Sequence, residues 1–142
     1  MEHTGICYRH FASKMSWTDA SDYCKSTKTN QIVTLASISD STTNDFLTTL
    51  TTQQAWIGGY RKSDKTWGAW TDGSTWGYTN WGPDQPNNYR GNQDHVVINF
   101  NDHGKWGDEN SEVVRGALCQ YSITGITKLG KPYTYELTIQ MF

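Results

Sequence analysis

Residues 59 to 95 constrain this chain more than any other stretch. They are rich in Gly, Asn, Asp, Trp and Pro, and compact apolar runs flank them on both sides. With 142 residues the chain suits one compact domain, so a section this long must be carried by a scaffold formed from the rest. Long loops inside compact domains are rarely idle, and the polarity and turn residues here argue for a structured, functional one.

The scaffold is legible on either side. Residues 5 to 14, with Ile6, Tyr8 and Phe11, read as a first strand. Ser16 is placed to cap a helix over residues 17 to 26, with Asp19 three residues on as an acidic variant of the capping box. Trp17, Ala20, Tyr23 and Cys24 then fall on one helical face. Ile32, Val33, Leu35 and Ile38 form a short extended run. A second helix is expected from Ser41, with Asp40 near its cap and Phe46, Leu47 and Leu50 inward. The Thr-rich stretch from Thr48 to Thr52 is a poor helix former and should end it. Ala55, Trp56, Ile57 and Gly58 read as a buried strand that ends where the loop begins. Strands resume at Val96, Val97, Ile98 and Phe100, and again from Arg115 to Tyr121. This order has no alternating β-α units, so the fold class is α+β.

Hydrophobic residues make up 35% of the chain and mean hydropathy is -0.71, which is low for a core built on aliphatics. Seven Trp and eight Tyr compensate, because large rings bury much area per residue. A net charge of -2 gives no broad basic field, so nucleic acid and anionic membrane are not expected partners. No run of apolar residues is long enough to insert in a membrane. The N-terminus lacks the basic, hydrophobic and cleavage-site order of a signal peptide, which fits Met1 as an added start residue on a mature domain.

Cys7, Cys24 and Cys119 are an odd number at long spacings, with no C-x-x-C pair to suggest zinc or redox chemistry. One long-range disulfide and one leftover thiol fit better, and point to an oxidising, secreted or extracellular setting. The tail alternates from Tyr133, with Tyr135, Leu137, Ile139 and Met141 on one face. That pattern reads as a half-buried strand. It would either join the domain's own sheet or form an edge that pairs with a second chain. The expected division is a domain over residues 1–122 and a β-strand extension over 123–142.

Eight short segments carry a family resemblance. They are Cys7-Tyr8; Trp17, Ala20, Tyr23 and Cys24; Trp56-Ile57-Gly58-Gly59; Trp70-Thr71-Asp72-Gly73-Ser74; Tyr78-Thr79-Asn80-Trp81; Gln85-Pro86-Asn87; Trp106-Gly107-Asp108; and Ala117-Leu118-Cys119. In this order and spacing, over about residues 6 to 121, the chain resembles C-type lectin domains. The resemblance implies two helices, small antiparallel sheets and a long ligand-binding loop. It implies a disulfide between Cys24 and Cys119. The family's second bridge is missing, since His95 and Ser111 stand near its positions. Cys7 has no upstream partner, so it is a buried free thiol or pairs between chains. Trp56, Trp67, Trp70, Trp81 and Trp106 are expected in the core or anchoring the loop.

The resemblance also implies a sugar-binding calcium held by Gln85, Asn87, Gln93 and Asp108, with Pro86 cis. Calcium takes six to eight hard oxygens, and amide carbonyls qualify. Only Asp108 of the four carries a charge, however, and Gly107 replaces the family's Asn. A single weak site is therefore expected, with complete loss of the metal as the competing outcome; Asp94, Asp102 and Glu109 lie near enough in sequence to compensate. An accessory calcium site is not expected, because Arg61, Lys65 and Asn88 stand near positions that need acidic ligands. Gln85, Asn87, Tyr89 and Asp108 would contact sugar. Tyr89 is either a stacking face, which favours galactose-type over mannose-type hexoses, or simply an exposed loop aromatic.

The function expected is thus a calcium-dependent lectin whose partners are glycans or glycoproteins. Its sites would be weak individually, with a homodimer through Cys7 or the C-terminal strand as a route to avidity. The alternative is a calcium-independent domain that binds a protein partner through the same loop. An enzyme is not expected, since the histidines are scattered and neither G-x-S-x-G nor H-E-x-x-H occurs.

Overall fold

The computed structural model describes residues 1–123 and two further short strands, 126–128 and 135–137. Strand β1 (Glu2–His3) leads into the long β2 (Ile6–Met15). Helix α1 (Trp17–Ser26), β3 (Thr34–Leu35) and helix α2 (Ser41–Thr48) follow. Then come β4 (Ala55–Arg61), β5 (Trp67–Trp70), β6 (His95–Ile98), β7 (Trp106–Glu109) and β8 (Arg115–Ser122). The main sheet runs β1-β2-β8-β4-β6-β7, with β3 added to β8 and β5 to β4. Only β4 and β8 pair in parallel among its described ladders. Two helices on a mixed sheet are the α+β architecture that the order of elements predicts.

Both helices start where the caps place them. The Ser16 hydroxyl accepts from the Asp19 N–H at 3.2 Å, and the Asp40 carboxylate from the Thr43 N–H at 2.7 Å. The buried face of α1 is the expected one at Ala20 and Cys24 but not at Tyr23. Ala20, Ser21 and Cys24 face the sheet, while Tyr23 is 39% exposed and edges onto Phe11. Ile32 is 87% exposed, so the following apolar run turns inward only from Val33.

Period-two alternation divides the core between the two faces of the sheet. Ile57, Val96, Ile98 and Leu118 join Trp70, Trp106, Leu47 and Ile38 on one side. Trp56, Val97, Ala117 and Cys119 join Ala20, Cys24 and Leu35 on the other. Trp67 and Trp81 are half-buried against the first group, so all five tryptophans expected in the core or at the loop's base are there. Cys7 is reduced and fully buried, which shields its thiol from another chain.

The loop begins later than expected. Strand β4 continues through Gly59 to Arg61 and forms a hairpin with β5, inside the stretch that reads as loop. The glycines there look like turn residues but serve close packing. A Cβ at Gly68 would strike the Trp76 ring at 2.5 Å, and one at Gly59 would meet Val96 at 2.8 Å. Of the alternating tail, Tyr135–Leu137 pairs antiparallel with Ile126–Lys128 in a separate two-stranded sheet, not with the main sheet. A near neighbour in sequence is the cheaper partner to close upon. The rest of that run, Tyr133, Ile139 and Met141 included, lies outside the described residues.

Cys24 and Cys119 form a disulfide across a separation of 95 residues, joining α1 to β8. The double substitution Cys24→Ser/Cys119→Ser is expected to lower unfolding free energy by about 4 kcal/mol, read by urea titration.

Candidate functional site

Between β5 and β6 the chain has no strand ladder of its own, so its polar backbone groups need side-chain partners. Trp106 on β7 is the apolar hub. Trp70, Trp81 and Tyr78 approach its ring edge-on at 5.6, 5.9 and 5.8 Å. Its indole N–H donates to Asn44 Oδ1 at 2.8 Å. The Nδ2 groups of Asn44 and Asn80 both donate to Gly104 O, at 3.0 and 2.7 Å, which ties α2 and the loop to the turn before β7.

Two residues on, Asp108 holds the loop's other end. It is fully buried, yet its carboxylate is well supplied with donors. The backbone N–H of Asn87 donates to Oδ1 at 3.0 Å and that of Asn88 to Oδ2 at 2.7 Å. The Arg61 guanidinium lies 3.4 Å from Oδ2. The amide bonds are the shorter, so they fix position while the guanidinium supplies opposite charge. Arg61 is itself anchored, for its Nε donates to Asp94 Oδ1 at 3.1 Å and one Nη to Gln93 O at 3.1 Å.

The loop between these anchors is tight. The Gln85–Pro86 peptide is cis, as the resemblance implies, and Asp84, Asn88 and Arg90 have positive φ of 61°, 47° and 62°. Asp and Asn visit that conformation readily, whereas Arg90 takes it only when its surroundings fix it. Here the Gln93 side chain accepts from Tyr89 N at 2.8 Å, and Asn88 Oδ1 accepts from Gln93 N at 3.1 Å. Asn87 and Tyr89 remain on the surface, Tyr89 60% exposed with the Arg90 guanidinium 5.3 Å from its ring centre.

Asn87, Gln93 and Asp108 are therefore brought together, but as a set with Gln85 they do not fit a hard cation. Both Asp108 oxygens, Gln93 Oε1 and Asn87 Oδ1 already accept N–H donors of the loop. Of these four residues, Gln85 alone has a buried oxygen, Oε1, without a partner, against the six to eight oxygens calcium takes. A divalent ion about 4 Å from the guanidinium would also meet a repulsion of about 8 kcal/mol at an effective dielectric near 20. Nor is there room for the missing Asn at Gly107, where a Cβ would fall inside the Phe100 ring's van der Waals shell. Glu109 reaches Gln93 Nε2 at 3.3 Å and pairs with Arg115, while Asp94 pairs with Arg61 and Lys65. Neither is free to compensate. Among the described residues no group of three His, Cys, Asp or Glu side chains is arranged to hold a metal.

Sequence reasoning set Arg61 aside as a residue standing where acid was needed. Asp94 and Asp108 lie 33 and 47 residues away along the chain, so no local signal marks their pairing with it. Trp17 was a second missed contributor. Its ring lies 4.1 Å from that of His95, and its backbone N–H donates to Ser111 O at 2.9 Å. One tryptophan thus touches both positions where the second bridge is lacking.

A family model described as the lectin C-type domain matches residues 13–121, and the chain belongs to that family. It is 33% identical over 126 residues to a lectin of Pleurodeles waltl, covering 84% of this chain and 72% of the relative. It is 31% identical over 123 residues to C-type lectin BML-1 of Bungarus multicinctus, covering 82% and 77%. The solved structure of C-type lectin CEL-I from Cucumaria echinata superposes with a TM-score of 0.79 at 26% identity, covering 85% of this chain and 93% of that one. All three of these proteins are named as lectins, and no helix among the described residues is long and apolar enough to cross a membrane.

Two outcomes follow from the charges. Asp108→Ala leaves the Arg61 guanidinium short of a buried counter-charge and two loop amides without acceptors; it should cost about 3–5 kcal/mol in urea unfolding. His95 is held at a pKa of about 4 by burial, partly opposed by the Asp94 charge. The unfolded chain therefore binds the extra proton first. His95's contribution is complete above pH 6.5 and is lost as pH falls towards about 4. His95→Gln should flatten the stability profile across that window, measured by thermal melts at stepped pH.

Proposed function

We propose that the chain is a carbohydrate-binding domain that takes terminal hexoses of glycans or glycoproteins on the surface of the 85–93 loop. The recognition domain spans residues 1–122 and the remainder is an extension, in a secreted or extracellular protein. The carrying observation is the way Asp108 pins the loop through the Asn87 and Asn88 amides while Asn87 and Tyr89 stay exposed. Asn87 uses its Oδ1 on Tyr89 N–H, which leaves its NH2 as a donor towards a sugar hydroxyl. Tyr89 offers an apolar ring, and a face of that kind suits galactose-type hexoses better than mannose-type ones.

The calcium dependence that the resemblance implies is not carried over. Asp108 and Gln93 act here as struts of the loop, and Gln85 adds one buried carbonyl. Binding through hydrogen bonds and one aromatic face is weak per site, so useful affinity requires several copies on one surface. The same exposed loop also suits the second reading, a protein partner.

A glycan array run in millimolar calcium and in chelator tests this. Equal signals on terminal galactose or N-acetylgalactosamine are expected, falling about tenfold in Tyr89→Ala, the size of a lost hot-spot contact. A blank array sinks the sugar reading in favour of the protein partner, and a signal that vanishes in chelator restores calcium.

A further inference from the structure

We propose that Arg61 is a built-in cation, whose guanidinium gathers oxygens of the kinds a metal ion takes and so assembles the recognition loop without one. The inference deepens the reading of the 85–93 loop as the binding surface and rests on it. Four oxygens surround the guanidinium. They are Asp94 Oδ1 at 3.1 Å, Gln93 O at 3.1 Å, Lys65 O at 3.3 Å and Asp108 Oδ2 at 3.4 Å.

Two carboxylates and two backbone carbonyls are the donor types a hard divalent ion takes. A planar fork of N–H donors meets Asp94 and the Gln93 carbonyl at hydrogen-bond distance, with Lys65 O and Asp108 slightly farther. The Trp67 ring closes the cage, 4.5 Å from the guanidinium carbon. The residue has little freedom to leave, because its side chain is 11% exposed and its own N–H donates to Asp94 O at 2.8 Å. Lys65 adds a second positive charge 3.5 Å from Asp94 Oδ2. Through Asp108 the cage reaches the Asn87 and Asn88 amides directly, so the cation keeps charged the carboxylate that holds the loop.

A metal ion dissociates when it is scarce and when its ligands protonate; an arginine does neither, since it stays charged at any ordinary pH. The loop is therefore assembled at all calcium concentrations, and Arg61 is a positioning residue for recognition. A role in stability alone would not make the loop answer to calcium once Arg61 is removed, which is the distinguishing readout.

Hydrogen exchange at the Asn87 and Asn88 amides measures it. In the unmodified chain, protection should agree within about twofold between chelator and millimolar calcium. Arg61→Ala should lower it about tenfold or more in chelator, and calcium should return most of the loss. Arg61→Ala/Asp108→Asn should show no such return, and Arg61→Lys should fall between. Calcium-dependent protection in the unmodified chain overturns the proposal, and this comparison decides alone if Arg61→Ala does not fold. Unchanged protection in a folded Arg61→Ala overturns it, as does a loss that calcium fails to repair. No sugar enters these measurements, so a blank glycan array leaves them standing.

Discussion

A long stretch of chain without α-helix or strand ladders can persist in one shape only if side chains satisfy its backbone, and β7 supplies the means. Trp106 points one way into a ring of aromatic side chains, and Asp108 accepts two loop amides. The fold around β7 exists largely to hold that short strand still. It forms the edge of the main sheet as described, paired with β6 through four residue pairs from His95↔Glu109 to Ile98↔Trp106. The ladder from β6 through β4 to β8, with the disulfide from β8 to α1, gives it a rigid base. Displacing β7 would release both the apolar hub and the carboxylate that fixes the loop.

The electrostatics of the site follow from how few charges it has. A buried carboxylate without a partner costs several kcal/mol, so Asp108 requires both hydrogen bonds and an opposite charge. A metal ion is one solution, and a guanidinium is another. Arg61 reaches across from the end of β4 to supply it, and in doing so gathers Asp94 and the Gln93 carbonyl. The absence of a second bridge is met in a similar way. Trp17 lies against His95 and donates to Ser111 O, so packing and one hydrogen bond connect what a covalent link would.

Much of the scaffold was legible because its signals are local. Ser16 and Asp40 cap helices by contacts within three residues, and the run from Val96 to Ile98 alternates across a sheet whatever lies beside it. Legibility failed where residue type and environment diverge. Gly59 and Gly68 resemble turn residues, yet they sit in the β4–β5 hairpin because the Val96 and Trp76 side chains leave no space for a Cβ. Tyr23 fits the apolar stripe of α1 but stays exposed against Phe11, and Ser21 is buried in its place.

The family, the two helices and the disulfide partners were readable from the chain alone, because these rest on short-range pattern and on a distinctive order of motifs. The hydrogen-bond partners of the loop residues were decided by tertiary structure. Gln93 and Asp108 carry the right chemistry for a metal site, but their oxygens answer to amides and a guanidinium brought from other segments. A side chain's available lone pairs depend on everything that converges on them in space, and no local pattern in a single chain records that convergence.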